Sequence, residues 1–351
     1  MNKPIRVGMI GYGFSGRTFH APVITTIPNL KLTKIVQRKS MTAKERYPWV
    51  EIVRDVNKLY SDDEIDLIVV TTPSTDHYSF VRDALLAGKH VVVEKPFTTT
   101  TAEADELIQL AKKTGKMLSV FHNRRWDGDF LTLRKVLNDQ LLGRITDAEF
   151  KWEKFSPRAN PLNWRESNKE GSGVLYDFGV HFFDQVLCLF GKPDTIQANI
   201  RTLRQEIETD DYFAVTLGYK SGLHVVVKCS MLAREQGPRY IIHGSKGSFV
   251  KYGEDPQEEA LKKGQTPGAP NWGKEAEEKW ASVNTSFNNL HVIGKVETIP
   301  GAYQAYYQNV YDHIVSKNDL IVKAEEARMA IHLVELARKS SQEKRTIKVS
   351  E

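Results

Sequence analysis

Cysteine is nearly absent from the 351-residue chain, which has only Cys188 and Cys229. Two thiols exclude a disulfide framework and a cysteine-rich metal site. One lies in an apolar helical pattern and the other in strand-like alternation, so both are expected to be buried thiols in a reducing compartment. Long hydrophobic runs are also missing: none approaches the ~20 residues that span a bilayer, and no membrane partner is expected. Charge of one sign is scarce. The 49 Lys and Arg against 44 Asp and Glu leave a formal net charge of +5, with no basic block, so no nucleic-acid partner is expected. No internal repeat or low-complexity tract appears. The first apolar run begins at Ile5, leaving no room after Met1 for a signal peptide, and a cytoplasmic protein is expected.

What is present is an ordinary globular composition, 40% hydrophobic and 26% charged, in a length suited to about two domains. The strand-like run Ile5 to Ile10 breaks into Gly11-Tyr12-Gly13-Phe14-Ser15-Gly16. This G-x-G-x-x-G turn opens a helix, the arrangement that brings backbone and a helix N-terminus to a pyrophosphate. Gly11, Gly13 and Gly16, with Phe14 and Ser15, are the first cofactor-binding candidates. A second strand at 31–36 ends in Gln37-Arg38-Lys39-Ser40, where NAD-binding chains of this pattern carry Asp or Glu for the ribose hydroxyls. With no carboxylate there, Arg38 and Ser40 suit the 2′-phosphate of NADP(H); the other reading is an ordinary polar loop. Buried strands at 65–70 and 91–93 end in Thr71-Thr72-Pro73, with His77 opening the next helix, and in Glu94-Lys95-Pro96. A helix at 107–113 and a strand at 117–120 continue the alternation. Such β-α repetition predicts a doubly wound Rossmann domain over 1–122, the strand ends at Gly11, Gln37, Thr71 and Glu94 facing one crevice. Lys95 is either a substrate-facing lysine or a solvated loop cation.

Residues 123–351 read as an α+β domain built on an open, mostly antiparallel sheet, so the chain as a whole is α/β. Asn123 to Asp127 is polar and aromatic, 130–138 is an amphipathic helix, and 146–155 alternates as a strand. The polar stretch 157–169 carries Arg158, Asn160, Asn163, Trp164 and Arg165, groups that suit either a polyhydroxylated ligand or a solvated loop. A glycine-led apolar helix over 171–190 holds Asp177 and His181 four residues apart on one face. An ionisable pair in an apolar segment is costly unless partnered or used; it is either a carboxylate-oriented base or a structural pair. No further Cys or His stands at ligand spacing, so a metal site is not expected. Strands follow at 195–203, 211–219, 223–231, 240–243 and 248–252. The polar segment 254–287, with Trp272 and Trp280, reads as an excursion over the surface. Helices at 303–315 and 324–340 and a strand at 346–349 close the chain.

With these motifs in order, the chain resembles the glucose–fructose oxidoreductase, inositol dehydrogenase and rhizopine catabolism family (Gfo/Idh/MocA) over nearly its whole length. Gly11 to Gly16, Thr72-Pro73 with His77, Glu94-Lys95-Pro96, and Asp177 with His181 carry the likeness. It implies that Lys95, Asp177 and His181 form the catalytic group, with either Lys95 or His181 as proton acceptor. It places Thr72, Pro73, His77, Glu94, Lys95, Asn123, Trp164 and Arg165 at the cofactor, and Asn123, Arg125, Arg158, Trp164 and Tyr240 as weaker candidates for the substrate wall. Asn123 to Asp127 and Asn160 to Arg165 are similar to the bacterial branch of NADP-dependent scyllo-inositol 2-dehydrogenases. A hydride exchange with a cyclic polyol or sugar is implied, as is a homodimer or homotetramer contact through the open sheet. Another sugar dehydrogenase or ketosugar reductase of the family, and a non-catalytic dinucleotide sensor, are the alternatives. Replacing Arg38 by Asp is expected to move preference from NADP towards NAD, read as the ratio of kcat/KM for the two cofactors; an unchanged ratio would refute the role given to Arg38.

Overall fold

The computed structural model describes residues 4–160 and 164–350, so Pro161 to Asn163, Asn163 among the candidates, lie outside the described residues. The chain forms two compact units. The first comprises Met1–Trp126, Pro256–Trp272 and Ala302–Arg328, and the second Asp127–Asp255, Gly273–Gly301 and Met329–Glu351. Beyond the single crossing expected near residue 122, the chain therefore returns to its first unit twice.

The first unit holds six strands: β1 (Ile5–Ile10), β2 (Leu30–Val36), β3 (Glu51–Val53), β4 (Leu67–Val70), β5 (His90–Val93) and β6 (Leu118–Val120). They pair in the order β3-β2-β1-β4-β5-β6, all parallel. Every residue of β4 is buried, as a strand covered on both faces requires. The order reverses between β1 and β4, which opens a crevice beyond their carboxyl ends. The connecting helices are α1 (Ala21–Ile24), α2 (Ala43–Arg46), α3 (Asn57–Tyr60), α4 (His77–Leu86) and α5 (Thr101–Thr114). Ahead of α1 a wide π-type turn, Gly16–His20, opens directly from the glycine-rich loop. α5 begins earlier than its apolar periodicity predicts, because the Thr100 side chain accepts from the Glu103 N–H and Glu103 reaches back, a capping box.

In the second unit α6 (Gly128–Asn138) and α7 (Val180–Phe190) accompany a nine-stranded sheet. Its strands are β7 (Ile145–Glu153), β8 (Thr195–Arg201), β9 (Tyr212–Gly218), β10 (His224–Ser230), β11 (Tyr240–Gly244), β12 (Gly247–Lys251), β13 (Ala281–Phe287), β14 (Leu290–Val296) and β15 (Ile347–Lys348). Their order is β14-β13-β12-β11-β7-β10-β9-β8-β15, antiparallel except for the parallel pair β7–β10. Phe150, Trp152, Val215, Leu217, Val225 and Val227 point into the core, while their alternate neighbours are partly open. α8 (Gln257–Lys262) and α9 (Gln304–Ser316) lie in the first unit, and α10 (Ala324–Glu343) follows them.

The surface excursion expected over 254–287 needs correction. Its first part is α8, and its last part is β13, paired with β12. Buried Ala281, Val283 and Thr285 alternate with exposed Ser282, Asn284 and Ser286 there. The alternation is mostly between small and polar residues, so its hydrophobic contrast is weak. The connecting segment is tied down by a buried ion pair, Lys251 to Glu275 at 2.8 Å. Cys229 is buried as expected, and burial pushes its thiol pKa well above the ordinary value. Cys188 is exposed. α7 is apolar nearly all round, so its sequence does not tell which side is covered, and from Leu187 onward the helix is only partly enclosed. No helix of the described residues is long and apolar enough to cross a membrane.

Candidate active site

Parallel pairing brings the ends of β1, β2 and β4 to one edge, where a cavity of about 500 Å³ is lined by Gly11, Gly13, Arg38, Ser40, Thr72 and Pro73, among others. Six of the cofactor candidates thus share one site. Gly11 has φ +97°, and an added Cβ would meet the Thr71 hydroxyl at 3.0 Å; at Gly16 it would meet the Gly11 carbonyl at 2.9 Å. Packing explains both glycines. At Gly13 an added Cβ would meet no protein atom within 4 Å. No intramolecular packing demands glycine there, whereas a pyrophosphate drawn against the backbone does, so the residues present fit a dinucleotide. Phe14 is 51% exposed at the tip of the loop, its ring edge-on to Phe19.

His77 is buried at the start of α4, its Nδ1 2.8 Å from the Pro96 carbonyl and its Nε2 3.0 Å from the Thr72 carbonyl. Burial pushes its pKa down against the upward pull of those carbonyls. His77 therefore ties the turn after β4 to the turn after β5, and is a positioning residue rather than a ligand of the cofactor.

Glu94, at the end of β5, is held from three sides. Its Oε1 accepts from the Ser15 hydroxyl and from His20 Nε2 at 2.8 Å, and its Oε2 accepts from the Lys95 backbone N–H at 2.9 Å. His20 is fully enclosed, with Nδ1 2.6 Å from the Tyr307 hydroxyl and its ring against Phe121. Burial alone would raise the Glu94 pKa, but the hydrogen bonds from His20 and Ser15 and the field of His20 and Lys95 outweigh it and hold the group at about 2. The Ser15 hydroxyl is thereby turned towards Glu94, which locks the glycine-rich loop to the strand that carries Lys95. Sequence reasoning missed His20 and Tyr307; the one available signal was a histidine a few residues inside the fingerprint helix.

In the second unit Asp177 does not sit on a regular helix. It lies in a wide turn, Leu175–Gly179, of π-type hydrogen bonding that runs into α7, and His181 follows in the first turn of α7. Such turns recur at functional sites because they redirect side chains. The start of this segment is held by Asp210, whose carboxylate accepts from the Leu175 N–H at 2.7 Å and pairs with Arg338 at 3.1 Å. Gly173, with φ +89°, is required there, since a Cβ would fall 2.3 Å from the Asp210 carboxylate. Arg165 Nε lies 3.2 Å from Asp177 Oδ1, and its guanidinium stacks over Trp164 at 5.0 Å. Arg165 thus reaches the Asp177 carboxylate with Trp164 packed against it, a role the sequence did not assign it.

The substrate-wall candidates fare unevenly. Tyr240 is corrected to a core residue: it is fully buried, its hydroxyl 3.2 Å from Gln185 and its ring against Phe150, because its position in β11 faces the packed side of the sheet. Arg125 is buried, donating to the Ile321 carbonyl and paired with Glu326 at 2.8 Å. Asn123 is buried in the same short turn, Asn123–Trp126. Arg158 is exposed.

The depressed pKa of Glu94 carries a sign. The folded value of about 2 lies below the ordinary 4.5, so the stabilisation is complete above about pH 5 and is lost as pH falls through that window. The difference in unfolding free energy between wild type and Glu94→Gln, from urea titrations, is expected to be largest above pH 5 and to narrow towards pH 3. A difference independent of pH would contradict the buried carboxylate.

Comparison with known proteins agrees with this geometry. Residues 5–122 match the family described as "Oxidoreductase family, NAD-binding Rossmann fold", and residues 134–349 match "Oxidoreductase family, C-terminal alpha/beta domain". The chain is 40% identical over 347 residues to the uncharacterized oxidoreductase YdgJ of Escherichia coli, covering 99% of both chains. It is 39% identical over 343 residues to the scyllo-inositol 2-dehydrogenase (NADP(+)) IolW of Bacillus subtilis, covering 98% of this chain and 95% of that protein. Among solved structures, the putative oxidoreductase yvaA of Bacillus subtilis superposes with a TM-score of 0.96 at 37% identity, over 100% of this chain and 99% of the other. With both halves matched, in the order of the motifs that position the crevice and the Asp177 segment, the chain belongs to the Gfo/Idh/MocA family of oxidoreductases.

Proposed function

We propose that the protein is an NADP(H)-dependent dehydrogenase acting on a secondary hydroxyl, or the matching ketone, of a cyclic polyol or sugar in the cytoplasm, with scyllo-inositol and 2-keto-myo-inositol as its substrate pair. The observation that carries the cofactor is the end of β2, where Arg38 and Ser40 line the cavity and Gln37 stands in place of an acid. The name of the 39% identical Bacillus subtilis relative supports both the cofactor and the polyol.

A bound nicotinamide would supply hydride transfer. The chain's own residues would handle the proton and the charge. In oxidation His181 takes the hydroxyl proton, while Asp177, itself oriented by Arg165, stabilises the imidazolium. Lys95 donates to the same oxygen and stabilises its developing negative charge, an interaction worth several kcal/mol where water is excluded. Glu94 fixes the Lys95 backbone from one side.

Initial rates of NADP and NAD reduction with scyllo-inositol, myo-inositol, glucose and xylose test the reading. Turnover with NADP and scyllo-inositol is expected; activity with an aldose alone would keep the dehydrogenase and replace the substrate, and silence despite NADPH binding would favour a sensor. Lys95→Ala and His181→Ala are each expected to lower kcat by at least ~100-fold, the scale of a lost acid–base or oxyanion group, with NADPH affinity retained. Near-full activity of either variant would remove that residue from the mechanism. The partly open face of the sheet, where Lys228 pairs with Glu153 and His224 with Asp147, is proposed as a contact between copies. Light scattering should give two or four times the chain mass; a monomer would reject it.

A further inference from the structure

Parallel pairing of β3 with β2 sets Val53 opposite Val36, so the residue after each strand emerges at the same edge: Gln37 from β2 and Arg54 from β3. Arg54 Nη1 donates to the Gln37 carbonyl and, at 2.7 Å, to the Ser40 carbonyl. The guanidinium thus spans the turn that presents Arg38 and lines the same cavity as Arg38 and Ser40. Its Nε and Nη2 have no hydrogen bond or ion pair among the described residues. No carboxylate there pairs with Arg38, Lys39 or Arg54. Two acids, Asp55 and Asp76, line the same cavity, and Asp55 caps the Asn57 N–H at 2.9 Å.

The side chain of Gln37 sharpens the picture. It is buried, its Oε1 accepting from the Ala43 N–H at 3.0 Å and its Nε2 donating to the Ser40 hydroxyl at 2.7 Å and to the Thr42 hydroxyl at 3.1 Å. Because Nε2 can only donate, the Ser40 oxygen is the acceptor, and its own proton remains available to an anion. Three cations with no ion-pair partner among the described residues and one aimed hydroxyl therefore stand at a single turn, and an anion there would meet them alongside the two acids of the cavity, Asp55 and Asp76.

We propose that Arg54 is a specificity-determining residue for a 2′-phosphorylated adenosine cofactor: it sets the Gln37–Ser40 turn through Nη1 and offers its remaining donors to the phosphate beside Arg38. This rests on the NADP(H) reading above. The test is calorimetric binding of adenosine 2′,5′-bisphosphate and of AMP, which differ only in the 2′-phosphate, to wild type, Arg54→Met and Arg54→Lys. Loss of charge-assisted hydrogen bonds predicts a ~10- to 100-fold weaker bisphosphate complex for Arg54→Met, less than a threefold change for AMP, and an intermediate value for Arg54→Lys. The kcat/KM ratio of NADP to NAD should fall in parallel. Equal weakening of both nucleotides would show that Arg54 only supports the turn, and unchanged bisphosphate affinity would remove it from the site; either overturns the proposal while leaving the NADP(H) reading intact. If wild type binds AMP as tightly as the bisphosphate, that reading fails first and the proposal with it.

Discussion

A carboxylate shut away from water must be met by donors, and in the first unit that requirement falls on Glu94. Unmet, a buried charge of this kind costs several kcal/mol. The fold meets it with the Ser15 hydroxyl, the His20 imidazole and the Lys95 N–H, which belong to the glycine-rich loop, the turn behind it and the far end of β5. Two strand ends separated by β4 are thereby joined through one side chain. The loop that would cradle phosphates and the lysine assigned to the substrate cannot shift independently while Glu94 is ionised. His77 repeats the device one strand over, joining the turns after β4 and β5 through two carbonyls. The loops of the crevice are thus cross-braced by buried side chains.

The second unit uses the same logic with a different anion. Asp210, buried and pushed up by desolvation against the opposing pull of Arg338, takes with its carboxylate the Leu175 N–H at the start of the Asp177 segment, one of the groups a helix otherwise leaves unsatisfied. Asp177 faces Arg165. The wide turn matters here: a regular helix would carry Asp177 round with its neighbours, whereas the π-type turn changes the angular spacing between it and His181. The Asp210 carboxylate holds the start of the segment, and the Arg165 cation pairs with Asp177 further along it.

How much of this the sequence discloses follows from the range of each signal. The fingerprint at Gly11 to Gly16, the buried runs of β4 and β5 and the alternation of β7, β9 and β10 are local patterns, and each element lies where the pattern puts it. β3 and β14 are not legible in that way: the first is three residues long, and the second is exposed along almost its whole length, so neither shows a buried periodicity. Tyr240 fails for the opposite reason, since a tyrosine looks equally suited to a ligand wall and to a core until the sheet face is known. His20, Tyr307 and Asp210 act only through partners distant in sequence, 74, 287 and 35 residues away in their bonds here. No window of sequence contains such a pair.

The turn after β2 shows why the missing acid is only half of a cofactor argument. Removing a carboxylate takes away repulsion, yet a neutral residue whose amide faced the ribose could still satisfy its hydroxyls. Gln37 does not, because its amide is held inward by the Ala43 N–H and by the Ser40 and Thr42 hydroxyls. The position that would read a free 2′-hydroxyl is therefore closed on itself, and Arg38, the Ser40 hydroxyl and Arg54 line the cavity together with Asp55 and Asp76. Discrimination in such a turn arises from two steps taken together: a side chain withdrawn from the hydroxyl, and cations left without a carboxylate until a phosphate supplies the charge.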